Sequence, residues 1–161
     1  MAARHQRLLL LLIFLLGTSP IMTRADDTVI RLKNNDAEME TAKAKARSTL
    51  SHFWAKLQAP AANEERFSLK VEMPYSPTNS EHLWVTDVER KSGKIQATVN
   101  NEPKYVQYVR FGQRIEFEED QISDWTYRRD GKIVGNYTMR PLLARMPSAE
   151  AARYRMMLAE P

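Results

Sequence analysis

Few side chains in this sequence could do chemistry. His82 paired with an acid such as Asp124 would give a general base and the carboxylate that orients it, the pairing a hydrolase uses. His52 is the other histidine beyond the first 25 residues, and it lies 30 positions from His82. No His-Glu-x-x-His or comparable ligand spacing joins them, so no metal or other cofactor is expected. Cysteine is absent, which removes thiolate nucleophiles, disulfides, Cys-type zinc sites and iron–sulfur clusters together. There is no Gly-x-Ser-x-Gly elbow and no phosphate-binding glycine loop. Glu116, Glu118, Glu119, Asp120 and Asp124 crowd together, yet not at EF-hand spacing. Acids alternating along a strand read as a solvated edge that resists edge-to-edge pairing.

Recognition asks for less than catalysis. His82, Trp84, Asp124, Trp125, Asn136 and Arg140 are polar or aromatic, and Asp124, Asn136 and Arg140 flank tight turns. Two roles fit them. An Asp124–Arg140 pair, with Asn136 bonding backbone amides, would pin a hairpin to the segment after it. Alternatively the set would form a polar recognition pocket around His82 and Trp125. The aromatics Trp125, Tyr127 and Tyr137 read as core at strand spacing, or as a stacking surface for a ligand.

The elements that must position these residues follow from periodicity. Met39, Ala42, Ala46, Leu50, Phe53 and Leu57 recur at helical intervals. Asn35 as N-cap, with Glu38 as capping-box partner, and Pro60 as stop predict one long helix. The period then becomes two. Phe67, Leu69, Val71 and Met73 alternate with polar residues, which predicts a half-buried strand. Residues 82–89 are apolar on both faces and predict a central strand. Ile95, Ala97 and Val99 return from a hairpin at Gly93, and residues 104–110 suit a helical turn or a short strand. Ile115 and Phe117 mark another strand, and Asp130-Gly131 joins a second hairpin. Residues 148–160 look helical, with Ala149, Ala152, Met156 and Met157 on one side. The fold class expected is α+β: a long N-terminal helix on a curled antiparallel sheet, or a small partly open barrel, of about five or six strands, with a short C-terminal helical tail.

The first 25 residues read as an address. Arg4 and Arg7 precede nine unbroken apolar residues at 8–16. A spanning helix needs about 20, so the run suits a secretory signal. Thr23-Arg24-Ala25 puts small residues at the specificity positions, which predicts cleavage between Ala25 and Asp26; an uncleaved interfacial anchor is the alternative. The leader holds three of the 24 basic residues and none of the 20 acids, so the mature chain carries a net charge of +1. So neutral a chain offers no field for nucleic acid, and no membrane span remains after cleavage. The organisation expected is a signal at 1–25, a mobile lead-in at 26–35, one α+β domain at 36–143 and a helical or flexible tail at 144–161.

Several segments also carry a resemblance. His82-Leu83-Trp84-Val85-Thr86-Asp87, Asn101-Glu102-Pro103, Asp120-Gln121-Ile122-Ser123-Asp124-Trp125, Asp130-Gly131-Lys132 and Gly135-Asn136-Tyr137-Thr138 with Arg140 resemble the YegJ-like family, a bacterial domain of unknown function. The resemblance covers residues 36–143. It implies a fold and a bacterial source, and brings no activity, cofactor or catalytic set. The expectation is a small exported module of the bacterial envelope or periplasm that binds a protein, glycan or small ligand, with the His82 hydrolase as the alternative.

Overall fold

The computed structural model describes residues 36–91 and 93–159. The expected signal, its cleavage point at Ala25 and Asp26, the lead-in and the Asn35 cap all lie outside the described residues. Asp36 takes the capping role, its side chain accepting from the Met39 amide at 3.1 Å. The expected long helix is two helices, α1 (Ala37–Ser48) and α2 (Leu50–Gln58). The break at Thr49 has a tertiary cause. The Trp125 indole Nε1 donates to the Ala46 carbonyl at 3.0 Å and to Thr49 Oγ1 at 3.2 Å. A side chain inserted into the helical ladder in this way is a recognised source of kinks. The apolar stripe survives the break, with Ala46, Leu50 and Phe53 buried.

Six strands follow: β1 (Glu64–Ser76), β2 (Asn79–Lys91), β3 (Lys94–Val99), β4 (Arg114–Phe117), β5 (Ile122–Arg129) and β6 (Lys132–Gly135). They form one antiparallel sheet in the order β4-β3-β2-β1-β5-β6. The end strands β4 and β6 do not pair with one another, so the sheet is open. The alternation read from the sequence sets its faces. Leu69, Val71, Met73, Leu83, Val85, Ala97, Val99, Ile115 and Phe117 are buried on the core side. β2 is interior, as its two-sided apolar pattern implies, and β4 is an edge whose acids engage Gln96 and Lys94. The Asp130-Gly131 hairpin has both turn residues at positive φ, 51° and 74°.

The 104–110 stretch is neither helix nor strand. Its backbone is tied by the Glu81 carboxylate, which accepts from the amides of Lys104, Tyr105 and Val106 at 2.8–3.0 Å. After β6 come a 3-10 turn at Tyr137–Met139, α3 (Arg140–Leu143) and α4 (Ser148–Met157). In α4 the buried residue is Ala151, while Met156 and Met157, expected on the inner side, are exposed. The chain then returns to β6, where the Ala159 amide donates to the Ile133 carbonyl at 2.8 Å.

The pairing of β1 with β2 stops early. It runs from the hairpin to Leu69↔Val85 and no further, although both strands continue. Below that point β1 pairs only with β5, through Ser68↔Thr126 and Glu65↔Arg128. β2 pairs only with β3, through Thr86↔Thr98 and Glu89↔Gln96. Each strand carries a register shift there and one residue in the left-handed region, Arg66 at φ 56° and Asp87 at φ 51°. Bulges of this kind bend a strand and raise its twist. Two of them at one level turn the strands apart.

Candidate functional site

Two polar structures flank the sheet where β1 meets β5. The first is closed around Asp124. Trp84, Lys70 and Asp124 are cross-strand neighbours on one row of the sheet. Asp124 is fully buried. Its Oδ1 accepts from the amides of Trp125 and Tyr137 at 2.8 and 3.1 Å. Its Oδ2 accepts from the Thr138 amide at 2.8 Å and the Thr138 hydroxyl at 2.6 Å. Burial pushes the carboxyl pKa up, against these donors and Lys70. Four donors on two oxygens leave the group no free acceptor position for a substrate proton. Lys70 Nζ donates to Thr138 Oγ1 at 3.0 Å and lies 5.2 Å from the Trp84 ring centroid. Burial pulls the Lys70 pKa down while the Asp124 charge holds it up.

His82 belongs to the same layer but not to Asp124. Its Nδ1 lies 2.9 Å from Ser123 Oγ, and that hydroxyl donates to the Lys70 carbonyl at 3.1 Å. The carbonyl can only accept, so we assign the serine proton to it and a proton on His82 Nδ1. Nδ1 is then a donor to Ser123 and not a base toward it, and Nε2 is the basic nitrogen of the neutral ring. Burial agrees with this, lowering the His82 pKa to about 4 against the opposing pull of Glu72, with Lys70 and Lys43 adding to the drop. The general-base pairing of His82 with Asp124 is therefore not assembled.

The second structure is open. A cleft of about 790 Å³ occupies the place where β1 and β2 part. Ser68, Thr86, Asp87, Thr126 and Arg128 wall it, Lys70 and Trp84 stand at its closed end, and Leu57 of α2 reaches it. Asn136, Met139 and Leu142 overhang it from the segment after β6. Its size falls in the range of ordinary ligand pockets.

The sequence-selected residues thus separate. Trp84 and Asn136 line the cleft. Asp124 is joined to it through Thr138 and Lys70. His82 is held a layer away by Ser123, and Trp125 packs on the helix side against Phe53. Arg140 does not meet Asp124; it donates to the Ala159 carbonyl at 3.0 Å. Asn136 sits in the left-handed region at φ 50° and its own amide donates to the Trp125 carbonyl at 2.8 Å. Lys70, Ser123, Thr138 and Arg128 were missed. Lys70 had one visible signal, a long cation on the polar side of a strand whose core side is fully apolar. Among the described residues no group of three His, Asp or Glu could hold a metal, and no helix is long and apolar enough to cross a membrane.

An open antiparallel sheet with helices, and a polar layer closed around Asp124 beside a cleft, define a small α+β domain. The chain belongs to the family described as "Uncharacterized protein conserved in bacteria (DUF2314)", whose model matches residues 36–159. It is 31% identical over 153 residues to the uncharacterized protein YegJ of Escherichia coli K12, covering 95% of this chain and 98% of that one. It is also 24% identical over 137 residues to a putative ankyrin repeat protein of Neisseria meningitidis serogroup B. That match covers 80% of this chain and 54% of the relative, so the chain spans about half of that protein's length. The family match includes residues beyond 143, and with them α4. No solved structure matches.

Proposed function

We propose that this bacterial protein is exported to the envelope and works by binding, with the cleft between β1 and β2 as its ligand seat. One contrast carries the reading. The pieces of a catalytic pair are kept apart: Asp124 accepts from four donors, Ser123 donates to a backbone carbonyl, and His82 gives Nδ1 to Ser123 instead of Asp124. The cleft walls instead offer an aromatic ring, hydroxyls and cations at the surface. Export rests on the basic and apolar leader, and the 95% coverage of the YegJ match takes in most of that segment.

Isotope-labelled protein is titrated with protein, glycan and small-molecule fractions of a bacterial envelope extract. At least one fraction shifts the amides of Lys70, Trp84, Thr126 and Asn136, and Trp84→Ala removes the effect. Saturating fractions that leave those amides unmoved overturn the reading. Export is checked separately. The periplasmic protein begins at Asp26, and recovery from cytosol with Met1 intact refutes it.

A further inference from the structure

We propose that the cleft takes an extended peptide segment bearing acidic side chains. This rests on the cleft being the ligand seat and names the chemistry that fills it. Main-chain N–H and C=O groups need partners, and in an antiparallel sheet they point alternately to the two neighbouring strands. Among the described residues, β1 along 64–68 has β5 on one side and no strand on the other. Among the same residues, β2 along 86–91 has β3 on one side and no strand on the other. The inner sides of these two segments are strand edges that face one another across the cleft. A peptide main chain is the ligand chemistry complementary to such edges, as in strand addition to a sheet.

The outer edges of the sheet are less suited to this. β6 already receives the returning chain, with Ile133 bridged to Leu158. β4 presents Arg114 and Glu116 in alternation, the charged pattern that blunts an edge. The inner edges carry charges too, at Glu64-Glu65-Arg66 and from Asp87 to Lys91, but among the described residues no strand covers them. They are also held apart by two non-glycine residues in the left-handed region, Arg66 and Asp87, one on each strand at the same level. A bulky arginine in that region is uncommon, and such outliers gather at binding sites.

Charge sets the kind of peptide. The Lys70 charge is met by Asp124, which leaves Arg66, with Glu65 3.8 Å away, and Arg128 on the cleft lining against one acid, Asp87. Trp84, Ile133, Met139 and Leu142 supply apolar contacts beside them. Side chains of an extended segment alternate between two sides, so an acidic and apolar alternation matches this lining.

The test uses the whole exported chain and three ten-residue probes. They are alternating Glu-Val, alternating Lys-Val, and Glu-Val with every second amide N-methylated. Glu-Val saturably shifts the amides of 66–68 and 86–88 and slows their hydrogen exchange at least tenfold. Both other probes bind at least tenfold more weakly. Arg128→Glu, with an unchanged melting curve, reverses the charge preference. Equal binding of the methylated probe, or no shift from Glu-Val at millimolar concentration, overturns the proposal. If a glycan or small-molecule fraction moves the cleft amides while no peptide does, the ligand seat stands and the peptide falls. If neither does, both fall.

Discussion

From Leu69 to Val71, β1 lies between β2 and β5, and the Lys70, Ser123 and Asp124 side chains beside it are hydrogen-bonded. From Glu64 to Ser68 it keeps only β5, and the space where β2 would lie is solvent-accessible cleft. The same strand therefore serves as structural core in one half and as recognition edge in the other. The closed half hides Asp124 under four hydrogen bonds, and the open half shows cations and hydroxyls without that enclosure. Polar residues close in space can thus differ in kind: some are internal fasteners and some are contact surface. Substitutions should divide along that line.

The largest effect should come from the closed half. Asp124→Ala leaves the Trp125, Tyr137 and Thr138 amides and the Lys70 ammonium without their carboxylate. Losing one partner of such a buried network costs about 3–5 kcal/mol, read by urea denaturation. Gly135→Ala is the next test. It sits at φ 80°, and an added Cβ would lie 2.4 Å from the Trp125 carbonyl oxygen and 2.6 Å from its ring. Clash and backbone strain together should remove about 2–4 kcal/mol.

Acid should weaken the closed half before anything else. The His82 pKa falls from 6.5 to about 4 on folding, so the unfolded chain binds the extra proton between those values. Its contribution is complete above pH 6.5 and is lost as pH drops toward 4, at up to about 1.4 kcal/mol per unit. A second loss follows between pH 4.5 and about 2 as Glu64 takes a proton. Its carboxyl is held low by the Ala61 amide, Arg129 and Lys56. His82→Gln should flatten the first limb and leave the second. Lys70→Met should cost only about 1 kcal/mol, since Asp124 keeps all four donors. A loss as large as that of Asp124→Ala would show that the ion pair, not the amide cage, holds the layer. Arg128→Glu, on the cleft wall, should change the denaturation midpoint by less than about 0.5 kcal/mol. A larger change there would erase the distinction between the two halves.

Much of the scaffold was legible before any coordinates. The alternation of Leu69, Val71 and Met73, the two-sided run around Leu83 and Val85, and Asp130-Gly131 each report a local rule, and each appears in place. The failures share a cause. Thr49 breaks the helix because Trp125, 76 positions away, supplies a competing donor. Arg140 goes to Ala159 and not to Asp124, because the hydroxyl and amide of Thr138 already fill the carboxylate position nearest the turn. Trp84 and Asn136 belong to the polar cluster that the sequence reads as either fasteners or a recognition pocket, and both line the cleft. Lys70 and Arg128 are not in that cluster, because an outward cation on a strand looks the same whether it faces water, a buried carboxylate or a cleft.

Local periodicity, turn chemistry and composition were enough for most of the strands, the class of fold, the absence of thiol chemistry and the near-neutral charge beyond residue 25. Those properties depend on neighbours along the chain. Which acid would be caged, which histidine would be neutral and where the sheet would open depend on register. Two left-handed residues on different strands, Arg66 and Asp87, come to the same level only when β1 and β2 are laid side by side. No spacing along a single strand encodes that meeting, and the cleft exists because of it.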